Sequence, residues 1–115
     1  MDKFHALGEP TRRNIIEMLA ANGQLCATEI CDKFQVTPPA ISQHLKVLRE
    51  AKLVRMEKRA QQRIYEINPE AMLEVEEWAR QMTHLWNQRF DALDRLLKVE
   101  KKRTIGKRNR RDVKE

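Results

Sequence analysis

The sequence predicts a mainly α-helical domain carrying one small β-hairpin, and three observations carry that prediction. Apolar residues recur at three- and four-residue steps in several stretches, the period of a helix with one buried face. Two short runs, LVRMEKR and RIYEIN, alternate instead, with Val54 and Met56 in the first and Tyr65 and Ile67 in the second. Prolines and glycines stand at the ends of the helical stretches: Pro10, Pro38, Pro39 and Pro69 open them, and Gly8 and Gly23 close them.

At 115 residues the chain is predicted to form one domain with a modest core. Apolar residues make up 41% and charged residues 35%. No apolar run approaches the length of a membrane span and the N-terminus has no signal-peptide pattern, so no membrane partner is expected and the predicted location is cytoplasmic. Two cysteines without an export signal read as reduced thiols. The net charge of +6 is unevenly placed: residues 98–115 hold nine Lys or Arg and three Asp or Glu, which leaves 14 of the 23 basic and 14 of the 17 acidic residues to 1–97. The expected organisation is therefore a neutral domain over 1–97 and a basic, disordered tail over 98–115.

In chain order, Phe4 to Leu7 reads as a short helix stopped by Gly8. PTRRNIIEMLAANG is a complete helix, with Ile15, Ile16 and Leu19 inward and Gly23 as its left-handed stop. LCATEICDKF gives a brief helix anchored by Leu25, Ile30, Cys31 and Phe34. Glu29 stands three residues after Cys26, the spacing of a capping box, and the helix starts at Cys26 or at Thr28.

After the turn FQVT comes TPPAISQHLKVLRE, capped by Thr37, with Ile41, Leu45 and Leu48 on one buried face. These two helices form a helix-turn-helix pair. The two alternating runs follow, joined across Ala60, Gln61 and Gln62 as a hairpin, or wing. From Pro69 a helical stripe of Met72, Val75, Trp78, Met82, Leu85, Trp86, Phe90, Leu93 and Leu97 continues to about residue 97. A small domain cannot cover a stripe that long, so it is expected to pack on a second copy of the chain.

Helix, turn, helix and hairpin is the order of a winged helix-turn-helix, whose second helix enters the major groove of double-stranded DNA. Small Pro39 and Ser42 would let that helix approach closely, Gln43 could pair with adenine, and Lys46 could meet a phosphate. Thr37 sits at the helix start, and His44 reads as a packed residue near enough to touch phosphate. Arg59 and Arg63 are the expected wing contacts, and Arg12 and Arg13 would lean on the backbone.

ALGEPTRRNIIEMLAANG, LCATEICDKFQVTPPAISQHLKVLREAKLV and RIYEINP together resemble the arsenic-repressor (ArsR) family of winged-helix regulators, over roughly residues 3–70. The resemblance implies a homodimeric repressor of its own or an adjacent operon, binding a near-palindromic operator. It implies a dimer interface of first and last helices, here Phe4, Leu7, Trp78, Met82, Leu85, Trp86, Phe90 and Leu93. The chain departs from the family pattern at Lys52, and at Ala60 and Gln61, where the family usually has Gly and Gly-Arg. A non-glycine at position 52 is expected near the left-handed region, at a cost of about 1 kcal/mol.

Metal-sensing members carry Cys-x-Cys on the segment matching LCATEIC, where this chain has only Cys26 and Cys31. Five residues apart on one helix, the two thiols would diverge by about 140°, so no metal or cofactor is expected and a thiol sensor at Cys26 or Cys31 is the lesser reading. The family's second metal site would need two histidines near the last helix, and His84 with Asp91 and Asp94 supplies one. Trp78, Trp86 and Phe90 read as packing residues rather than an inducer pocket. With three glycines, no phosphate-cradling loop and no nucleophile paired with a base, the chain is not predicted to be an enzyme. The alternative is a winged-helix interaction module whose only DNA affinity is non-specific and lies in the basic tail.

Overall fold

The structure, a computed structural model, describes residues 2–104. Its elements are α1 (Lys3–Ala6), α2 (Pro10–Asn22), β1 (Gln24–Cys26), α3 (Ala27–Asp32), α4 (Pro38–Glu50), β2 (Val54–Arg59), β3 (Gln62–Ile67) and α5 (Pro69–Thr104). The chain divides into two compact units, Met1–Glu76 and Glu77–Glu115. No described helix is long and apolar enough to cross a membrane.

Each helix of the first unit starts where a side chain takes up its free amide groups. Asp2 accepts from the N–H of Phe4 and of His5 at 3.3 and 3.2 Å. Glu9 accepts from Arg12 N–H at 3.0 Å, with Pro10 at the first position of α2, and Thr37 Oγ1 accepts from Ala40 N–H at 3.3 Å ahead of Pro38 and Pro39. Cys26 is the cap of α3, and Glu29 reaches back to accept its N–H at 2.8 Å. That settles the start of α3 at Ala27.

The sheet is antiparallel in the order β1-β3-β2. Strand β1 is a finding beyond the predicted hairpin: Gln24, Leu25 and Cys26 pair with Glu66, Tyr65 and Ile64. Leu25, Val54, Met56, Tyr65 and Ile67 turn to the helices, where α2, α3 and α4 supply Ile15, Leu19, Ile30, Ile41, Leu45 and Leu48. Each such aliphatic side chain contributes about 1.5–3 kcal/mol when fully buried. No polar or charged residue is buried among the described residues, and the hydrophilic side chains of α4 other than half-buried His44 are exposed.

The end of α4 shows the departure at residue 52 in detail. Lys52 N–H donates to the Arg49 carbonyl at 2.9 Å and Leu53 N–H to that of Leu48 at 3.0 Å, the paired bonds of a Schellman stop. That stop needs a left-handed residue, and Lys52 takes φ 63°. Its carbonyl is held by Asn68 Nδ2 at 2.8 Å, while its side chain lies in solvent. Replacing Lys52 with Gly should therefore raise stability by about 0.5–1 kcal/mol, the relief of left-handed strain less the added freedom of the unfolded chain. Lys52→Val should lower it, and urea unfolding of both variants checks the sign.

Helix α5 continues past Leu97 to Thr104, so the first residues of the expected basic tail are helical. The rest of that tail, from residue 105, lies outside the described residues.

Candidate nucleic-acid interface

Helix α4 has two faces, and its packing fixes which one is free. Ile41, Leu45 and Leu48 are at most 2% exposed, and Val47 is buried beside them. Pro39, Ser42, Gln43 and Lys46 lie within about 100° of arc on the other side, all exposed. No described residue holds Ser42, Gln43 or Lys46 by a side-chain hydrogen bond or ion pair. Thr37 is exposed too, but its hydroxyl is committed to the cap of α4.

His44 lies between the two faces, its side chain 20% exposed, with Nδ1 3.4 Å from Arg12 Nη1 and 3.9 Å from Glu9 Oε1. It ties α4 to the start of α2. The Glu9 carboxyl is shifted below the ordinary carboxylate range: burial pushes it up, but the Arg12 amide bond and the nearby His44 and Arg12 outweigh it.

Arg12 and Arg13 are both engaged within the fold. Arg12 Nε donates to the Ala6 carbonyl at 2.6 Å and Arg13 Nη1 to that of Leu7 at 2.7 Å. Both guanidinium groups close the C-terminal end of α1, whose last carbonyls have no helical partner.

The wing loop is one residue shorter than the predicted join across Ala60, Gln61 and Gln62, because Gln62 pairs with Arg59. The loop is the two residues Ala60 and Gln61, with Ala60 at φ 56°, and Arg59 faces Gln62 while Lys58 faces Arg63. Partners directly opposite share a face, so Arg63 stands beside Lys58, and Arg59 points to the other side. There Arg59 Nη2 donates to Glu57 at 3.1 Å and to Gln24 at 3.4 Å, and Arg55 lies 3.6 Å from Glu66. Lys58 was legible as a basic wing residue, but only the strand register shows that it belongs with Arg63.

Cys26 is buried in β1 and Cys31 packs on the core from α3. The two thiols thus stand on different elements, and the helical angle assumed between them does not apply. In the second unit, Leu85, Trp86, Phe90 and Leu93 of α5 are 54–64% exposed. Phe4 of α1 is 41% exposed and Leu7 is half-buried against the core of the first unit.

A helix-turn-helix pair, a paired wing and an exposed Ser/Gln/Lys face on the second helix define a winged helix-turn-helix transcriptional regulator. Residues 9–56 match the family model described as bacterial regulatory protein, arsR family. An HTH-type transcriptional regulator of Methanocaldococcus jannaschii is 36% identical over 72 residues, which span 63% of this chain and 81% of that protein. The transcriptional repressor SdpR of Bacillus subtilis is 31% identical over 75 residues, 65% of this chain and 82% of the relative. Among solved structures, a possible transcriptional regulator for arsenical resistance superposes with a TM-score of 0.60 at 33% identity, covering 84% of this chain and 94% of that one. An ArsR family transcriptional regulator gives 0.66 at 28% identity, covering 73% and 86%. The chain belongs to the arsR family of bacterial regulatory proteins. These relatives are transcriptional regulators, not enzymes.

Proposed function

We propose that the protein is a homodimeric, cytoplasmic repressor that binds a near-palindromic operator in its own promoter region, each protomer laying α4 in one major groove. The observation that carries the reading is the free face of α4, where Ser42, Gln43 and Lys46 are exposed and unengaged by any described residue. Pro39 adds no bulk there, so the helix start can approach base edges closely. Gln43 has the amide pair that adenine requires, and Lys46 carries the charge that meets a phosphate. Thr37 and His44 flank that face, and Arg63 extends it from the wing. The exposed apolar stripe of α5, including Trp78 and Met82, supports a dimer through the terminal helices, joined by Phe4 and Leu7 of α1.

The test is binding to the DNA upstream of the gene against scrambled DNA. Gln43→Ala should flatten discrimination among operator variants, losing about 1–3 kcal/mol only at the base it reads, whereas Lys46→Ala should weaken binding to all of them alike. Uniform effects from both would remove base reading from α4. Equal, steeply salt-dependent binding of the wild type to both DNAs would transfer the DNA affinity to the basic tail.

A further inference from the structure

The two faces of the wing differ in how their charges are met. On the outer face Arg55 is matched by Glu66 and Arg59 by Glu57 and Gln24. On the face turned to the helices, Lys58 and Arg63 stand directly opposite each other, and no described side chain engages either one. Like charges in direct cross-strand register repel, and no carboxylate among the described residues offsets this.

These two cations border a groove of about 530 Å³ between the wing tip and the start of α3, lined also by Cys26, Thr28 and Gln61. That volume lies within the roughly 300–1,000 Å³ that holds small ligands. Among the described residues no acidic one lines it. Thr28 and Gln61 are exposed, and their hydroxyl and amide groups are hydrogen-bond donors without a described partner. A groove with two unmatched cations, two neutral donors and no acid suits a tetrahedral oxyanion and disfavours a cation or an apolar guest.

We infer that this groove is a phosphate seat, in which Lys58 and Arg63 hold one phosphate group and Thr28 and Gln61 donate to its remaining oxygens. The phosphate belongs to a DNA strand or to a free phosphorylated ligand. The DNA case rests on the repressor reading above, and the free-ligand case does not.

The experiment compares the full chain with Lys58→Gln, Arg63→Gln and, from the outer face, Arg55→Gln. Each is titrated with upstream and scrambled duplexes over a salt series, and with inorganic pyrophosphate at constant ionic strength by calorimetry. All three substituted residues are exposed, and circular dichroism confirms the fold. Lys58→Gln and Arg63→Gln should each lower the slope of log affinity against log salt by about one unit on either duplex, while Arg55→Gln leaves it unchanged. The basic tail contributes equally to all variants and cancels from the comparison.

Pyrophosphate binding that is lost in both groove variants assigns the seat to free ligands as well. A change of slope without pyrophosphate binding assigns it to the DNA strand. An effect of Arg55→Gln equal to the others, or unchanged slopes together with no pyrophosphate binding, overturns the seat. A wild type that does not prefer upstream DNA sinks the repressor reading alone, because the slopes on scrambled DNA and the pyrophosphate titration still judge the groove.

Discussion

Trp86→Glu is expected to give a folded monomer whose affinity for a near-palindromic operator is about 10²–10⁴-fold lower than that of the wild type. Trp86 is 64% exposed, and Leu85, Phe90 and Leu93 around it are 54–59% exposed, so the substitution removes nothing from the core of the first unit. In the proposed dimer those residues are covered, and a carboxylate placed among them loses its water without gaining a cation, at a penalty of several kcal/mol. Association of two chains typically needs about 800 Å² from each, so a stripe of this length cannot tolerate a charge near its middle. A monomer keeps one recognition helix and loses the second half-site, which is the source of the drop. Sedimentation velocity reads the oligomeric state and a gel-shift titration reads the affinity. A dimer that persists would remove α5 from the interface, and monomers that bind as well as wild type would remove the palindrome.

The helices were legible because their signals are local. Pro10 with Gly23, and Thr37 with Pro38 and Pro39, bracket α2 and mark the start of α4 by cap chemistry alone. The face of α4 followed from a three- to four-residue period that the core obeys. The strained residue 52 was readable only through the resemblance to a family that usually has Gly there, and Lys52 takes φ 63°.

What the sequence hid was long-range. Strand β1 is three residues long, too short for alternation to show, and exists only because β3 offers it a free edge. The wing failed by one residue: a three-residue loop would set Arg59 opposite Arg63, while the actual two-residue loop sets Lys58 there. A slip of one position moves a side chain to the other face of a sheet. Ala60 concealed the turn, because the glycine that usually signals a positive φ is absent at a position with φ 56°. The bonds of Arg12 and Arg13 to the Ala6 and Leu7 carbonyls were not legible either, since no local pattern reveals that those carbonyls lack helical partners.

The second large effect is expected from Leu48→Ala, which should lower stability by about 2–5 kcal/mol. Leu48 is fully buried, and its carbonyl accepts the Leu53 N–H at 3.0 Å, so the side chain and the helix stop meet at one position. Leu53 is fully buried as well, the apolar contact that accompanies a Schellman stop. Against a total stability of roughly 5–15 kcal/mol for a domain of this size, that loss is a large fraction. It should lower Tm by about 10–30 °C. Gln43→Ala, five residues earlier on the opposite face, should stay within about 0.5 kcal/mol of wild type while altering DNA discrimination. Thermal melts and operator titrations of the two variants separate the faces of α4. If Leu48→Ala and Gln43→Ala shift Tm equally, Gln43 is held by the fold, and a side chain held by the fold is not free to read a base.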